Sequence, residues 1–349
     1  VAHSALTWVA LRAKGGETSA ITRMPRDHIH RVQPMMILDQ ASTAESQLSC
    51  AVRSAQHLHC HGRALAVDAT DTEPSEFAPQ GPLGALIDRL EAESDLFGSL
   101  PILPVVRHGA TVQMAASIGR LGSETGTGVA VRLRPSAHLA VELARLLAAV
   151  RTPPSSTDIV LDLGFVESAT THTTDRVVSS VEAVKTTAEF RSLVLLSGSV
   201  PAQLDRRGAW RQDRHEEQLW HAATTQHTDV LFGDYGVVHP APGQGWRARH
   251  VSVKYSCRAG WWYGRRPIPS PDDAESPSVD GPPRARAFRN VCRDLTDDAV
   301  FAGPDFSWGD HALSVAADGG AKGLGDSSKP IAFATSHHLA YLAGMGTAA

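Results

Sequence analysis

Asp229-Val-Leu-Phe-Gly-Asp-Tyr-Gly236, followed by His239-Pro240, decides how the rest of the chain reads. A short apolar run stops abruptly at Gly233-Asp234-Tyr235-Gly236. Buried strands of α/β proteins have this form, and polar residues just past their ends are where such proteins place chemistry. Seven stretches upstream match it: 6–12, 32–38 (stopping at Asp39), 64–69, 102–107, 128–134, 158–164 and 192–198. Most are separated by segments of helical length, such as 82–98, where Leu83, Leu86, Ile87 and Leu90 fall at helical spacing. Strand–helix alternation implies parallel strands joined by crossover helices. Eight such units predict a closed parallel α/β barrel of the TIM type, although a doubly wound open sheet has the same local signature.

Past residue 236 the pattern changes. Val251 to Ser256 and Gly260 to Gly264 are too close together for a crossover helix, so they read as a hairpin. Residues 266–286, rich in Pro, Ser and Asp, read as a mobile loop. A helix is expected over 285–295. The segment near 208–226 reads as a polar stretch with an Arg-rich helix, and Ser136 is placed to cap the helix over 138–150. The expected organisation is a barrel over 1–240, with the hairpin, loop and tail of 241–349 folded over its mouth.

Composition bounds the function classes. The 349 residues are 42% hydrophobic and 20% charged, as in a globular protein with a sizeable core. A net charge of −4 gives no global attraction to nucleic acid or to an acidic membrane. Lysines make up five of the 33 basic residues, so positive charge is mostly guanidinium, which suits planar recognition of carboxylate or phosphate. The four cysteines lack paired spacing, which gives neither a disulfide framework nor a zinc knuckle. With no signal peptide and no apolar run near 18 residues, a cytoplasmic location without membrane contact is expected.

In a parallel barrel the functional face is formed by the C-terminal strand ends. Those ends carry Lys14, Asp39, Asp68, Arg107, Arg132, Arg134, Asp162, Ser197 and Asp234. Arg132 and Arg134 are two apart and share a face, so both are expected in the mouth, where they need carboxylates or a bound anion. Asp162, on the next strand, is a natural partner. A purely structural Arg–Asp network explains the same residues as well as a substrate clamp does. Asp68, Asp162 and Asp234 are candidates for a carboxylate cluster that supplies a general base or holds a hard cation, with nothing in the spacing to choose between them. No metal ligand set is assigned, and no motif indicates a cofactor. His57-Leu-His-Cys-His61 precedes a strand and is too tightly spaced for a usual zinc site. The Gly119–Gly128 stretch lacks the ending of a phosphate loop and sits before a strand.

Several of these pieces occur in a set order: Lys14-Gly-Gly-Glu17, Gly233-Asp-Tyr-Gly236, Val253-Lys-Tyr-Ser256, Trp262 to Arg265, Ser307-Trp-Gly-Asp310 and His337-His338. In that order the chain resembles the beta family proteins of bacteria and phages, a group without a settled activity. The resemblance implies a shared fold more than a reaction. It also implies an acid on the second strand at about the place of Ile37; Asp39, two residues on, faces the same way.

Two functions follow as expectations. In the first, an enzyme acts on an anionic or phosphate-bearing small molecule or nucleotide at the barrel mouth. Asp162, Asp234 and His338 are then its acid–base candidates, and Lys14, Arg107, Arg132, Arg134 and Tyr235 its ligand-binding set. In the second, a non-catalytic module recognises nucleic acid or a protein partner in a phage–host conflict, through the Trp261/Trp262/Tyr263 hairpin, its arginines and the 266–286 loop. Packing of that hairpin on the barrel explains the aromatics with less.

Overall fold

The computed structural model describes residues 6–40, 42–72, 81–93, 102–242, 249–258, 260–269, 282–320 and 322–345. In chain order its elements are β1 (Thr7–Arg12), α1 (Gly15–Ile21), α2 (Arg26–Ile29), β2 (Val32–Asp39), α3 (Ala44–His59), β3 (Leu65–Asp71) and α4 (Gly81–Glu93). Next come β4 (Ile102–Arg107), α5 (Val112–Glu124), β5 (Val129–Leu133), α6 (Leu139–Val150), β6 (Thr157–Phe165), α7 (Thr171–Lys185) and β7 (Ser192–Gly198). Then follow β8 (Gly208–Gln212), α8 (His215–Thr224), β9 (Val230–Asp234), β10 (His250–Cys257) and β11 (Gly260–Pro267). Helices α9 (Pro283–Thr296), α10 (Trp308–Ala317) and α11 (Ser328–Met345) complete the chain.

The eight strands read from the sequence form one closed parallel barrel in the order β1-β2-β3-β4-β5-β6-β7-β9. It closes where Trp8 and Val9 of β1 pair with Gly233 and Asp234 of β9. Alternation along each strand makes two apolar layers. Trp8, Ala10, Met35, Ile37, Ala66, Leu103, Val105, Ala130, Val160, Val194 and Leu196 fill the barrel. Their neighbours, such as Val9, Leu11, Met36 and Leu38, face the helices. Both faces of a strand are therefore apolar, as burial on both sides requires.

Glycine permits two close approaches that fix the helix layer. A Cβ on Gly119 would lie 1.9 Å from the Val150 carbonyl oxygen, and one on Gly122 would lie 2.2 Å from that of Gly128. The glycine-rich stretch thus serves packing of α5 against the end of α6 and the start of β5. Ser136 does not take the N-cap position of α6, which His138 occupies without a side-chain cap bond; Ser136 Oγ instead accepts from the His138 amide at 3.2 Å.

The hairpin forms as expected, from β10 and β11, but it gains a third strand. β8 pairs antiparallel with β11, so 208–212 is an edge strand and the helix begins only at His215. Half-buried residues alternate with exposed ones along β8. Only the partner strand makes this weak signal a strand. Trp261, Trp262, Tyr263, Phe288 and Phe333 form the core under this sheet, with α9, α10 and α11 around it. Helix α11 packs against α1, α10 and β10, tying this unit to the start of the barrel. Most of the stretch read as a mobile loop, 270–281, lies outside the described residues. Among those described, no helix is long and apolar enough to cross a membrane.

Candidate active site at the barrel mouth

The inward phase that fills the barrel with apolar side chains ends in charge. One step past Ala10, Ile37, Ala66, Val105, Ala130 and Val160 come Arg12, Asp39, Asp68, Arg107, Arg132 and Asp162. All six are buried. Arg132 is the hub. Its Nη1 donates to Asp68 Oδ2 at 2.6 Å, while Nε and Nη2 donate to Asp162 Oδ2 at 3.1 and 2.8 Å. Nη2 also donates to the Tyr235 hydroxyl, which donates in turn to Asp162 Oδ1 at 2.6 Å. The Gly164 amide donates to the same oxygen at 2.8 Å. Burial pushes the Asp162 carboxyl up, but Arg132, Tyr235 and the Gly164 amide outweigh it and hold the group below the usual range. Burial and Asp162 together push the Tyr235 hydroxyl up, so it stays protonated.

Across the mouth, Arg12 is paired with Asp39, and its Nη2 donates to the Pro240 carbonyl at 3.0 Å. The β2–β3 register shifts between Ile37 and Asp39, just before this pair. Arg107 Nε lies 3.7 Å from Asp68 Oδ2.

Two rim residues differ from this paired layer. Glu17, in the first turn of α1, is 2% exposed. Burial pushes its carboxyl up to about 7, against a backbone hydrogen bond and the charges of Lys14 and Arg12. Burial pushes the Lys254 ammonium of β10 down to about 8, with Glu17 opposing. Lys14, half-buried, stands at the N-cap of α1 without a cap bond.

Three expectations are corrected by this geometry. Arg134 lies just past the end of β5 and is exposed, so the two arginines are not enclosed together. Arg132 is no open clamp, because its donors are taken by Asp68, Asp162 and Tyr235. Asp234 does not join Asp68 and Asp162. It is in phase with Val230 and Phe232, which face the helices.

Asp234 is instead the centre of a second buried network. His338 Nε2 lies 3.0 Å from its Oδ1, and Arg214 Nη2 donates to its Oδ2 at 2.8 Å. Arg214 Nε also donates to Glu216 Oε1 at 2.9 Å, and Trp261 Nε1 donates to that oxygen at 3.0 Å. Burial opposes the Asp234 charge, but His338 and Arg214 hold the carboxyl below the ordinary range. Gly236, with φ 60°, turns the chain so that its amide donates to Asp234 Oδ1 at 2.9 Å. His337 belongs to a separate pair: Nδ1 is 3.0 Å from Asp310 Oδ2, and the ring stacks on Tyr255. Asp234 and His338 thus join α8 and α11 to β9 from outside the barrel.

Sequence reasoning missed Arg12, Glu17, Arg214 and Glu216. The phase of Trp8 and Ala10 pointed to Arg12, and Glu17 lay inside a quoted motif; no sequence signal marked Arg214 or Glu216. Trp261, Trp262 and Tyr263 are at most 1% exposed, so they are core residues and present no faces to nucleic-acid bases. At the end of α3, His57 bonds the Met24 carbonyl and His61 that of His57. Among the described residues no group of three ligating side chains is poised for a metal ion.

Fold and site together define a closed parallel α/β barrel with a paired Arg–Asp layer at its mouth and a C-terminal sheet-and-helix unit beside it. The chain belongs to the Beta protein family, whose sequence model matches residues 9–344. No curated protein matches it. Among solved structures it is similar to the catalytic domain of a GH26 endo-β-1,4-mannanase from Bacillus sp. JAMB-750, at 11% identity and a TM-score of 0.41, over 66% of this chain and 76% of that one. It is also similar to a protein described as a fructose-1,6-biphosphate aldolase from Coccidioides immitis, at 12% identity and a TM-score of 0.39, over 67% and 74%. Likenesses this distant say nothing about activity.

Proposed function

We propose that the protein is an enzyme acting on a small anionic molecule at the C-terminal mouth of the barrel. The observation that carries this reading is the convergence there of a paired ionic layer with a buried carboxyl poised near neutrality. Glu17 and Lys254 are the acid–base pair in this reading, since groups titrating near the working pH transfer protons best. Arg107 and Lys14 supply positive charge to the substrate. Asp162, Arg132 and Tyr235 are positioning residues, because their polar atoms already bond to one another. Asp234 and His338 hold the C-terminal unit against the barrel.

Titration calorimetry with a panel of small carboxylates and phosphate esters tests this. Binding of at least one class is expected, weakened about tenfold or more by Arg107→Gln, the usual scale for one charged hydrogen bond. Turnover of that ligand is expected to be lost in Glu17→Gln. Binding indifferent to Arg107→Gln, or turnover untouched in a folded Glu17→Gln protein, refutes the reading.

One observation favours a second reading, recognition of a nucleic-acid backbone. Arg265 Nη2 lies 3.2 Å from His250 Nδ1, and burial together with Arg265 and Arg207 pushes that imidazole's pKa down. This marks a local positive patch on the outer sheet. Oligonucleotide binding that weakens steeply with salt and is lost on Arg207→Glu would support it.

A further inference from the structure

The opposite end of the barrel also opens into a cavity. Its volume is about 1110 Å³, and its walls are strand starts and helix-to-strand turns, among them Gln33, Arg63, Asp158 and Ser192. That is ample for a small organic ligand. Trp8 and Leu103, which belong to the barrel interior, give it an apolar floor.

Of the acids that line this cavity, Asp158 and Asp229 are engaged and Glu189 is exposed at its edge. Arg191 holds Asp158 in a two-pronged contact, Nε at 2.9 Å and Nη2 at 2.6 Å, and Ser192 Oγ donates to Asp158 Oδ1 at 2.8 Å. Asp229 is paired with Lys185. Arg63 is different. It is half-buried, its Nη2 donates to Gln33 Oε1 at 2.8 Å, and no described carboxylate lies within the 4.0 Å of an ion pair. Gln33 is itself fixed, since its Nε2 donates to the Ala64 carbonyl at 2.9 Å and the Pro34 carbonyl at 3.1 Å. The guanidinium is thus aimed by a buried amide and makes no direct ion pair with a described carboxylate. Burial pushes its pKa down, the Asp158 charge opposes this, and Arg191 adds to it. A guanidinium kept only for stability would be expected to have a carboxylate, as Arg191 does.

We propose that this cavity is a binding site for a small organic anion, its acidic group on Arg63 and its apolar body on Trp8 and Leu103. The site is separate from the mouth and stands whether or not the mouth is catalytic.

The probe is 8-anilinonaphthalene-1-sulfonate, an aromatic anion, titrated by fluorescence into the whole chain. Saturable one-to-one binding is expected, weakened about tenfold or more in Arg63→Gln and largely kept in Arg63→Lys. Arg107→Gln, at the mouth, is expected to leave it unchanged. Equal affinity in the native protein and a folded Arg63→Gln variant overturns the proposal, as does binding that never saturates. Should Arg63→Gln fail to fold, phenylglyoxal labelling of the native protein decides. The probe is expected to protect Arg63 from modification, read by peptide mass spectrometry, and undiminished labelling overturns the site.

Discussion

Glu17→Gln should stabilise this protein in a way that depends on pH. The native carboxyl titrates at about 7 against an ordinary 4.5, because it is buried at the mouth. Its folded pKa is raised, so the folded state holds the proton more tightly than the unfolded chain. Below about 4.5 both states are protonated and nothing is lost. Between 4.5 and 7 the unfolded chain releases the proton and the folded state does not, so stability falls as pH rises. At 1.36 kcal/mol per unit, the full penalty is about 3 kcal/mol, and the part developed between pH 5 and pH 8 is roughly 2.5 kcal/mol. Glutamine has nearly the shape of the protonated acid and cannot ionise. The variant should therefore gain about 2.5 kcal/mol more over native at pH 8 than at pH 5. Urea unfolding of both proteins at the two pH values measures this. The difference of differences cancels any packing effect of glutamine itself. Equal stability changes at pH 5 and pH 8 would refute the claim that burial of Glu17 outweighs the charges of Lys14 and Arg12.

Other outcomes follow from the same geometry. Arg132→Ala leaves Asp68 and Asp162 buried without their shared cation and should cost about 3–5 kcal/mol in denaturant unfolding, whereas Arg134→Ala, on the exposed surface, should stay within about 0.5 kcal/mol. His338→Ala should cost about 3 kcal/mol by removing a buried partner of Asp234. Asp234 is held below its ordinary 3.8, so its contribution is present above that value and lost as acid titrates it; the variant should lose less stability on acidification than the native protein. Gly119→Ala should destabilise by about 3 kcal/mol, or yield no soluble protein, because its Cβ meets the Val150 carbonyl at 1.9 Å; melting temperature and soluble yield test it.

The barrel was legible because its evidence is local. Each strand is a short apolar run that ends in a turn, and each helix repeats its apolar residues at helical spacing. Eight alternations then leave few arrangements. β8 escaped notice because an edge strand with alternating exposure carries little apolar signal, and its identity rests on pairing with β11.

The site was legible only in its residue types. A strand buried on both faces is apolar in both phases, so the sequence cannot tell which phase looks inward. Asp162 and Asp234 both end strands, yet Asp162 shares the phase of Val160 and enters the mouth, while Asp234 shares that of Phe232 and meets α8 and α11. Arg132 and Arg134 share a face on paper, but β5 ends at Leu133 and only the first is enclosed. The sequence by itself determined the eight strands, the helices between them and the charge at the strand ends, since these rest on periodicity along the chain. Tertiary structure alone decided which charges meet, that Glu17 is buried near Lys254, and that Arg63 stands over an open cavity. Those facts depend on barrel closure and phase, which bring together residues far apart in the chain.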